Sequence, residues 1–262
     1  QSWEGSYTRQ DSGGVEATIY SLTVGDETGP AAGAGRKGRL LRFEPGAYRA
    51  VGVECEGRFA RVGLADMAGG VQARETIELG DFARTRDLSP LAAAIRRMCA
   101  AANGAPVLGV CIGFPANLDP DAAAIVSYAA MDIQQPTSFA QVFPAFWREV
   151  ELPVYLENDA NLACEGEAFL RRGAGGAANM LYLSIGSGCG GAVRLDGKLR
   201  RGARCRAGEV GAMLLQPALG APGRSAARET LEDAVCLAAL ERRFGAALRD
   251  GAQPGEASAQ AM

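Results

Sequence analysis

No histidine occurs anywhere in the 262 residues, which removes every histidine-based triad and every zinc site of mixed cysteine and histidine type. The seven cysteines, at positions 55, 99, 111, 164, 189, 205 and 236, include no CxxC pair and no spacing that reads as a disulfide framework. Reduced, mostly buried thiols are therefore expected. Long hydrophobic runs are missing too. No stretch approaches eighteen uninterrupted apolar residues, and the start QSWEGSYTRQ lacks the basic and apolar regions of a signal peptide. The cytoplasm is the expected compartment, with no membrane partner. An excess of charge is also lacking. A net charge of -3 and a pI near 5.3 give no general basic field, so any contact with nucleic acid must be local.

What is present is an apolar fraction of 48 %, ample for a core in each of two lobes. The opening at Gln1 and the polar, small-residue close GEASAQAM read as those of a fragment or a trimmed product. Residues 24–39, VGDETGPAAGAGRKGR, mix glycine, proline, alanine and charge without a period, as a linker does. After it, residues 50–56, 59–67 and 71–79 are three β-prone runs separated by glycine-containing turns, the pattern of a meander. The period then becomes helical over 88–104, with Ser89 as N-cap, Pro90 at the first helical position and Gly104 as the stop. VLGVCIGFP (107–115) reads as a central strand covered on both faces.

A helix interrupted at Pro144 is expected over 138–150, then the strand VYLEN and a helix DANLACEGEAFLRRG. Residues 179–187 and 189–199 read as two strands about a glycine-rich turn. A βββαβ unit followed by a second strand-rich lobe predicts a duplicated α/β protein with its ligand between the lobes. Asp159 has two readings at this level, an N-cap or a functional carboxylate. Gly186, Gly188 and Gly190 likewise read either as an anion-binding turn or, preferred here, as a tight hairpin needing positive φ.

Four stretches, GVECEGRFARVGLADMAG, ENDANLACEGEA, LSIGSGCGGAVRLDGKLRRG and AGEVGAM, stand in the order and spacing of ROK proteins (repressors, open reading frames, kinases). The chain resembles that family over roughly residues 40–235. The resemblance implies an α/β fold of the actin-like ATPase (ribonuclease H-like) kind in two lobes, 46–152 and 153–262, the second incomplete at its C-terminus. In the family's kinases the aspartate of ENDAN is the general base on a sugar hydroxyl, which maps to Asp159, with Asn158 and Glu209 as sugar-binding groups. Two glycine-rich turns cradle ATP; their remnants here are Glu54 and Gly57, and Gly186, Gly188 and Gly190.

The departures are as specific as the matches. Where the kinases have an aspartate that orients magnesium, two glycines and a threonine, this chain reads Glu54, Cys55, Glu56, Gly57, Arg58. Glu56 puts a carboxylate where phosphate oxygens belong. Zinc-bearing members use a histidine where Ala212 stands, and three cysteines in a following loop that has none here, so no metal is expected. A sugar-contacting asparagine of the family finds no counterpart in VSYAAMDIQQP.

Upstream, GRKGRLLRFEPGAYRAVGVE (35–54) resembles the junction of ROK repressors, and 7–23 a compressed helix-turn-helix with GVEATIYSLT as its recognition helix. Residues 1–45 are then a degenerate winged helix-turn-helix and linker, in which Arg36, Lys37 and Arg39 would touch DNA phosphates. The resulting expectation is a ROK-type transcriptional regulator, not an enzyme, that senses a sugar or derivative in its cleft, binds a DNA operator as a homodimer and uses no cofactor. The alternatives are an ATP-dependent hexose kinase of the family and a degenerate, non-catalytic member.

Overall fold

The computed structural model describes the backbone of residues 2–3, 7–10, 16–19, 22–28, 39–171, 177–215 and 229–249, with side chains from residue 44 to 246 inside those ranges. Up to residue 43 the described segments are strands: β1 (Ser2–Trp3), β2 (Tyr7–Gln10), β3 (Glu16–Ile19), β4 (Leu22–Thr28) and β5 (Arg39–Phe43). β2 pairs antiparallel with β3, and β4 lies between β1 and β5. No helix is seen among the described residues of 7–23. The turns that the expected helix-turn-helix needs, at 11–15 and 20–21, lie outside the described residues, as do Arg36 and Lys37; Arg39 opens β5.

The first lobe is built on β6 (Arg49–Glu56), β7 (Phe59–Asp66) and β8 (Val71–Glu78), the expected meander. A short helix α1 (Phe82–Thr85) and the longer α2 (Ser89–Ala101) lead to β9 (Val107–Phe114). Strict alternation on β6 buries Val51, Val53 and Cys55 and leaves Gly52, Glu54 and Glu56 exposed, so its even positions face outward at the strand end. α2 turns Leu91, Ala92, Ile95 and Met98 inward at helical spacing. The N-cap of α2 is Leu88, not Ser89. The Asp87 carboxylate accepts from the Ser89 N–H at 2.8 Å and from its hydroxyl, so capping is supplied from one residue further upstream.

β10 (Asn117–Asp119), β11 (Ala124–Ser127) and β12 (Thr137–Ser138) form a small antiparallel sheet beside the lobe. The expected helix splits into α3 (Phe139–Val142) and α4 (Pro144–Glu149) at Pro144, which cannot supply the N–H a continuous helix needs. Phe82, Phe114, Phe139 and Phe143 pack edge-on or tilted, with the Phe114 and Phe139 rings 5.5 Å apart, and fill the space beneath this sheet.

β13 (Val154–Asn158) returns to the first sheet, whose order is β13-β9-β6-β7-β8 with β13 and β9 parallel to β6. α5 (Asp159–Leu170) follows, and then β14 (Met180–Ile185), β15 (Cys189–Leu195) and β16 (Lys198–Leu199) make a second antiparallel sheet. α5 packs on β9 and β13 and on β14 and β15, so one helix joins the lobes through small buried side chains, Ala160, Cys164 and Ala168. β17 (Leu214–Leu215), β18 (Glu229–Thr230), α6 (Leu231–Val235) and α7 (Leu237–Arg249) complete the described chain. No described helix is long and apolar enough to cross a membrane.

Candidate functional site

The end of β13 aims the central carboxylate. Gly113 on β9 lies against the start of α5: a Cβ there would stand 3.2 Å from Leu162 Cδ2 and 3.5 Å from the Asp159 Cα, so a side chain there would fill the space between strand and helix and require Leu162 to shift slightly. Asn158 caps α5, its Oδ1 accepting from the Asn161 N–H at 3.1 Å while its Nδ2 donates to the Ala116 carbonyl at 3.2 Å. The capping reading of Asp159 is thereby corrected. The helix begins one residue earlier than that reading requires, and Asp159 is the first helical residue, its Oδ1 accepting from the Ala160 N–H at 2.9 Å.

Behind it, Glu157 is 7 % exposed and saturated. Its Oε2 accepts from Arg201 Nε at 2.8 Å and Nη2 at 2.5 Å, and its Oε1 from the Asn158 N–H at 3.0 Å and Asn161 Nδ2 at 2.9 Å. Arg201 belongs to the loop after β16, so this pair ties that loop to the strand that carries Asn158 and leads into Asp159. Nothing in the sequence pattern singled out Arg201.

Between the lobes lies a cavity of about 840 Å³. Glu54, Asn117, Ser127 and Tyr128 line it from the first lobe, Asn158 and Asp159 from the junction, and Gly186, Gly188, Gly190, Arg206, Glu209 and Glu232 from the second. The structure thus brings together every sequence-predicted cleft residue except Gly57, which sits on the turn behind Glu56. Burial raises the Asp159 carboxyl above the ordinary carboxylate range; the Ala160 and Asp159 N–H groups oppose this, and Glu54 and Glu56 add to it. Burial also raises Glu209, with Arg206 pulling the other way and Asp159 and Glu232 adding to the rise.

At the first turn, Arg61 on β7 bridges two carboxylates, donating Nη1 to Glu54 Oε2 and Nη2 to Glu56 Oε2, each at 2.6 Å. Glu56 is therefore drawn along its own hairpin and half-neutralised, rather than left as a bare charge over the turn. Gly57 has φ of +57°, which L side chains adopt only at a cost. At the second turn the hairpin is real, Ile185 pairing with Cys189, but Gly186, Gly188 and Gly190 are not at positive φ. Space bears on Gly188: a Cβ there would stand 3.0 Å from Glu232 Oε2, which accepts the Cys189 N–H at 2.9 Å, whereas Gly186 has nothing within 4 Å and Gly190 only an ordinary contact with Ala160. The Ser187 and Gly188 N–H groups make no hydrogen bond among the described residues.

Asn117, Ser127, Arg206 and Glu232 were not anticipated. They come from a β-bulged strand, a strand end, a loop and a helix start respectively, which no linear period connects. The zinc of some relatives does not fit this site. Ala212, exposed at the end of a single helical turn, offers only a methyl, and residues 214–230 hold neither cysteine nor histidine.

Two lobes of α/β structure joined by one helix, with a polar cleft of sugar size between them, define a protein of the actin-like ATPase fold. The model of the ROK family matches residues 50–259, and the chain belongs to that family. It is 34 % identical over 141 residues to a glucokinase of Halalkalibacterium halodurans, covering 51 % of this chain and 40 % of the glucokinase. It is 33 % identical over 105 residues to the xylose repressor of Caldicellulosiruptor bescii, covering 40 % of this chain and 25 % of the repressor. The chain thus spans less than half the length of these curated relatives.

Among solved structures, a ROK family transcriptional regulator, a homologue of the E. coli MLC protein, superposes with a TM-score of 0.67 at 18 % identity, over 82 % of this chain and 53 % of the regulator. A ROK hexokinase from Thermus thermophilus superposes at 0.57 and 25 % identity, over 81 % of this chain and 73 % of the hexokinase. Repressors and sugar kinases therefore both stand among the relatives. The expectation of a non-enzyme is corrected by the glucokinase and hexokinase likenesses, and its physical premise weakens in part, because Arg61 shares its one positive charge between Glu54 and Glu56.

Proposed function

We propose that this chain carries the cleft of an ATP-dependent sugar kinase that phosphorylates a hexose hydroxyl, with residues 46–152 and 153–262 as its lobes. The observation that carries the reading is Asp159, a desolvated carboxylate at the junction of the lobes, facing the Gly186–Gly190 turn across one cavity. A carboxylate whose hold on the proton is raised by burial is a better proton acceptor than a solvated one.

The sugar hydroxyl donates to Asp159. As its oxygen attacks the terminal phosphorus, the proton passes to the carboxylate, the bond to the leaving phosphate oxygen breaks, and ADP departs with that electron pair. Asn158 and Glu209 hold the remaining hydroxyls, and the open Ser187 and Gly188 N–H groups face phosphate. Glu54 Oε1 has no partner among the described residues, which suits a group that would help hold a magnesium nucleotide; the metal would neutralise phosphate charge there. ADP release measured against a panel of hexoses tests this. Hexose-dependent release is expected for at least one sugar, and none from any sugar would refute the reading.

The xylose repressor likeness favours a second reading, a sugar-responsive regulator that binds a DNA operator as a dimer. Sugar-dependent retention of operator DNA by the purified protein would distinguish it.

A further inference from the structure

The cleft is acidic except at one corner. Glu54, Glu56, Asp132, Asp159, Glu209 and Glu232 line it, and Arg206 is the single Arg or Lys among the lining residues. Arg206 donates Nη2 to Ser127 Oγ at 3.1 Å and makes no ion pair with a described residue. Ser127 Oγ also accepts from Asn117 Nδ2 at 3.0 Å. With two donors already filling the hydroxyl's lone pairs, its own hydrogen is left to donate, and the described residues offer it no acceptor. The other guanidinium N–H groups are equally uncommitted. Arg206 and Ser127 therefore make a corner composed of donors alone, bridging the two lobes, whereas the carboxylates around it accept.

A ligand that satisfies both parts has hydroxyls to donate to the carboxylates and an acceptor-only group to receive from the corner. A neutral hydroxyl could accept there too, but it carries no charge to match the guanidinium, whereas an anionic oxygen group accepts from both donors and pairs with the Arg206 charge. We propose that Arg206 is a specificity-determining residue, and that the cleft selects a sugar bearing an anionic oxygen group, a carboxylate or a phosphate. This rests on the reading of the cleft as a sugar site, not on turnover.

Calorimetric titration without nucleotide tests it, using glucose, glucuronate and glucose 6-phosphate against the wild type, Arg206→Gln and Ser127→Ala. The wild type should bind one of the two anions at least about tenfold more tightly than glucose, with the preference falling as salt rises. The stronger of the two identifies the group as carboxylate or phosphate. In Arg206→Gln the ratio should collapse towards one, and Ser127→Ala should lower it in part. Glucose binding as tightly as either anion, or a preference that survives Arg206→Gln, would overturn the proposal. Binding of none of the three would overturn it together with the sugar-site reading, whereas hexose-dependent ADP release without an anion preference would overturn it alone.

Discussion

Arg201 holds Glu157 through two nitrogens at 2.8 and 2.5 Å, and this bond joins the loop bearing Glu209 to the strand that leads into Asp159. Removing the guanidinium leaves a buried carboxylate without its countercharge, a situation far costlier than the pair itself is favourable. Arg201→Met should destabilise the fold by about 2 kcal/mol, less than for a fully buried pair because Arg201 keeps one wet side. Urea denaturation reads it, and Glu157→Gln in the same background should recover part of the loss.

Gly57 occupies a two-residue hairpin between Glu56 and Phe59 with φ of +57° and open space around it. Gly57→Ala therefore meets no clash, and backbone strain alone should cost about 1–2 kcal/mol. An unchanged denaturation midpoint would contradict this.

Asp159 is predicted to oppose folding when ionised. Its folded carboxyl is raised, so the native state binds the proton more tightly than the unfolded chain. Stability from this group is present in acid and lost as pH rises from the ordinary carboxylate value of about 3.9 through the raised native one. Asp159→Asn should consequently melt higher than wild type at neutral pH, and the difference should shrink as pH falls. A lower melting temperature at neutral pH would show that Asp159 supports the helix.

Cys55 is fully buried, and burial, with Asp159 and Glu54 nearby, pushes its thiol up to about 12. Alkylation at mildly alkaline pH should spare Cys55 in the native protein and reach it only on unfolding, as mass spectrometry of the peptides would show.

Much of the fold was legible because its periods are local. Alternation on β6, the helical spacing of Leu91, Ile95 and Met98, and the break at Pro144 are each dictated within a few residues. The site was legible where one motif carries it, at Asn158 and Asp159, and not where distant segments meet. Ser127 and Arg206 are 79 residues apart, and Cys189 and Glu232 are 43 apart. Glu56 shows the same limit: its type alone suggests repulsion of phosphate, and its ion-pair partner Arg61 across the hairpin is visible only once the register is known.

The central claim turns on Asp159 as the proton acceptor, and the most direct measurement compares wild type with Asp159→Asn in hexose-dependent ADP release while calorimetry follows sugar binding. The account predicts that kcat falls by about 10²–10⁴-fold and that its pH profile in the wild type rises on a limb above the ordinary carboxylate range, with the sugar still bound by the variant. Equal turnover by the two proteins would contradict it.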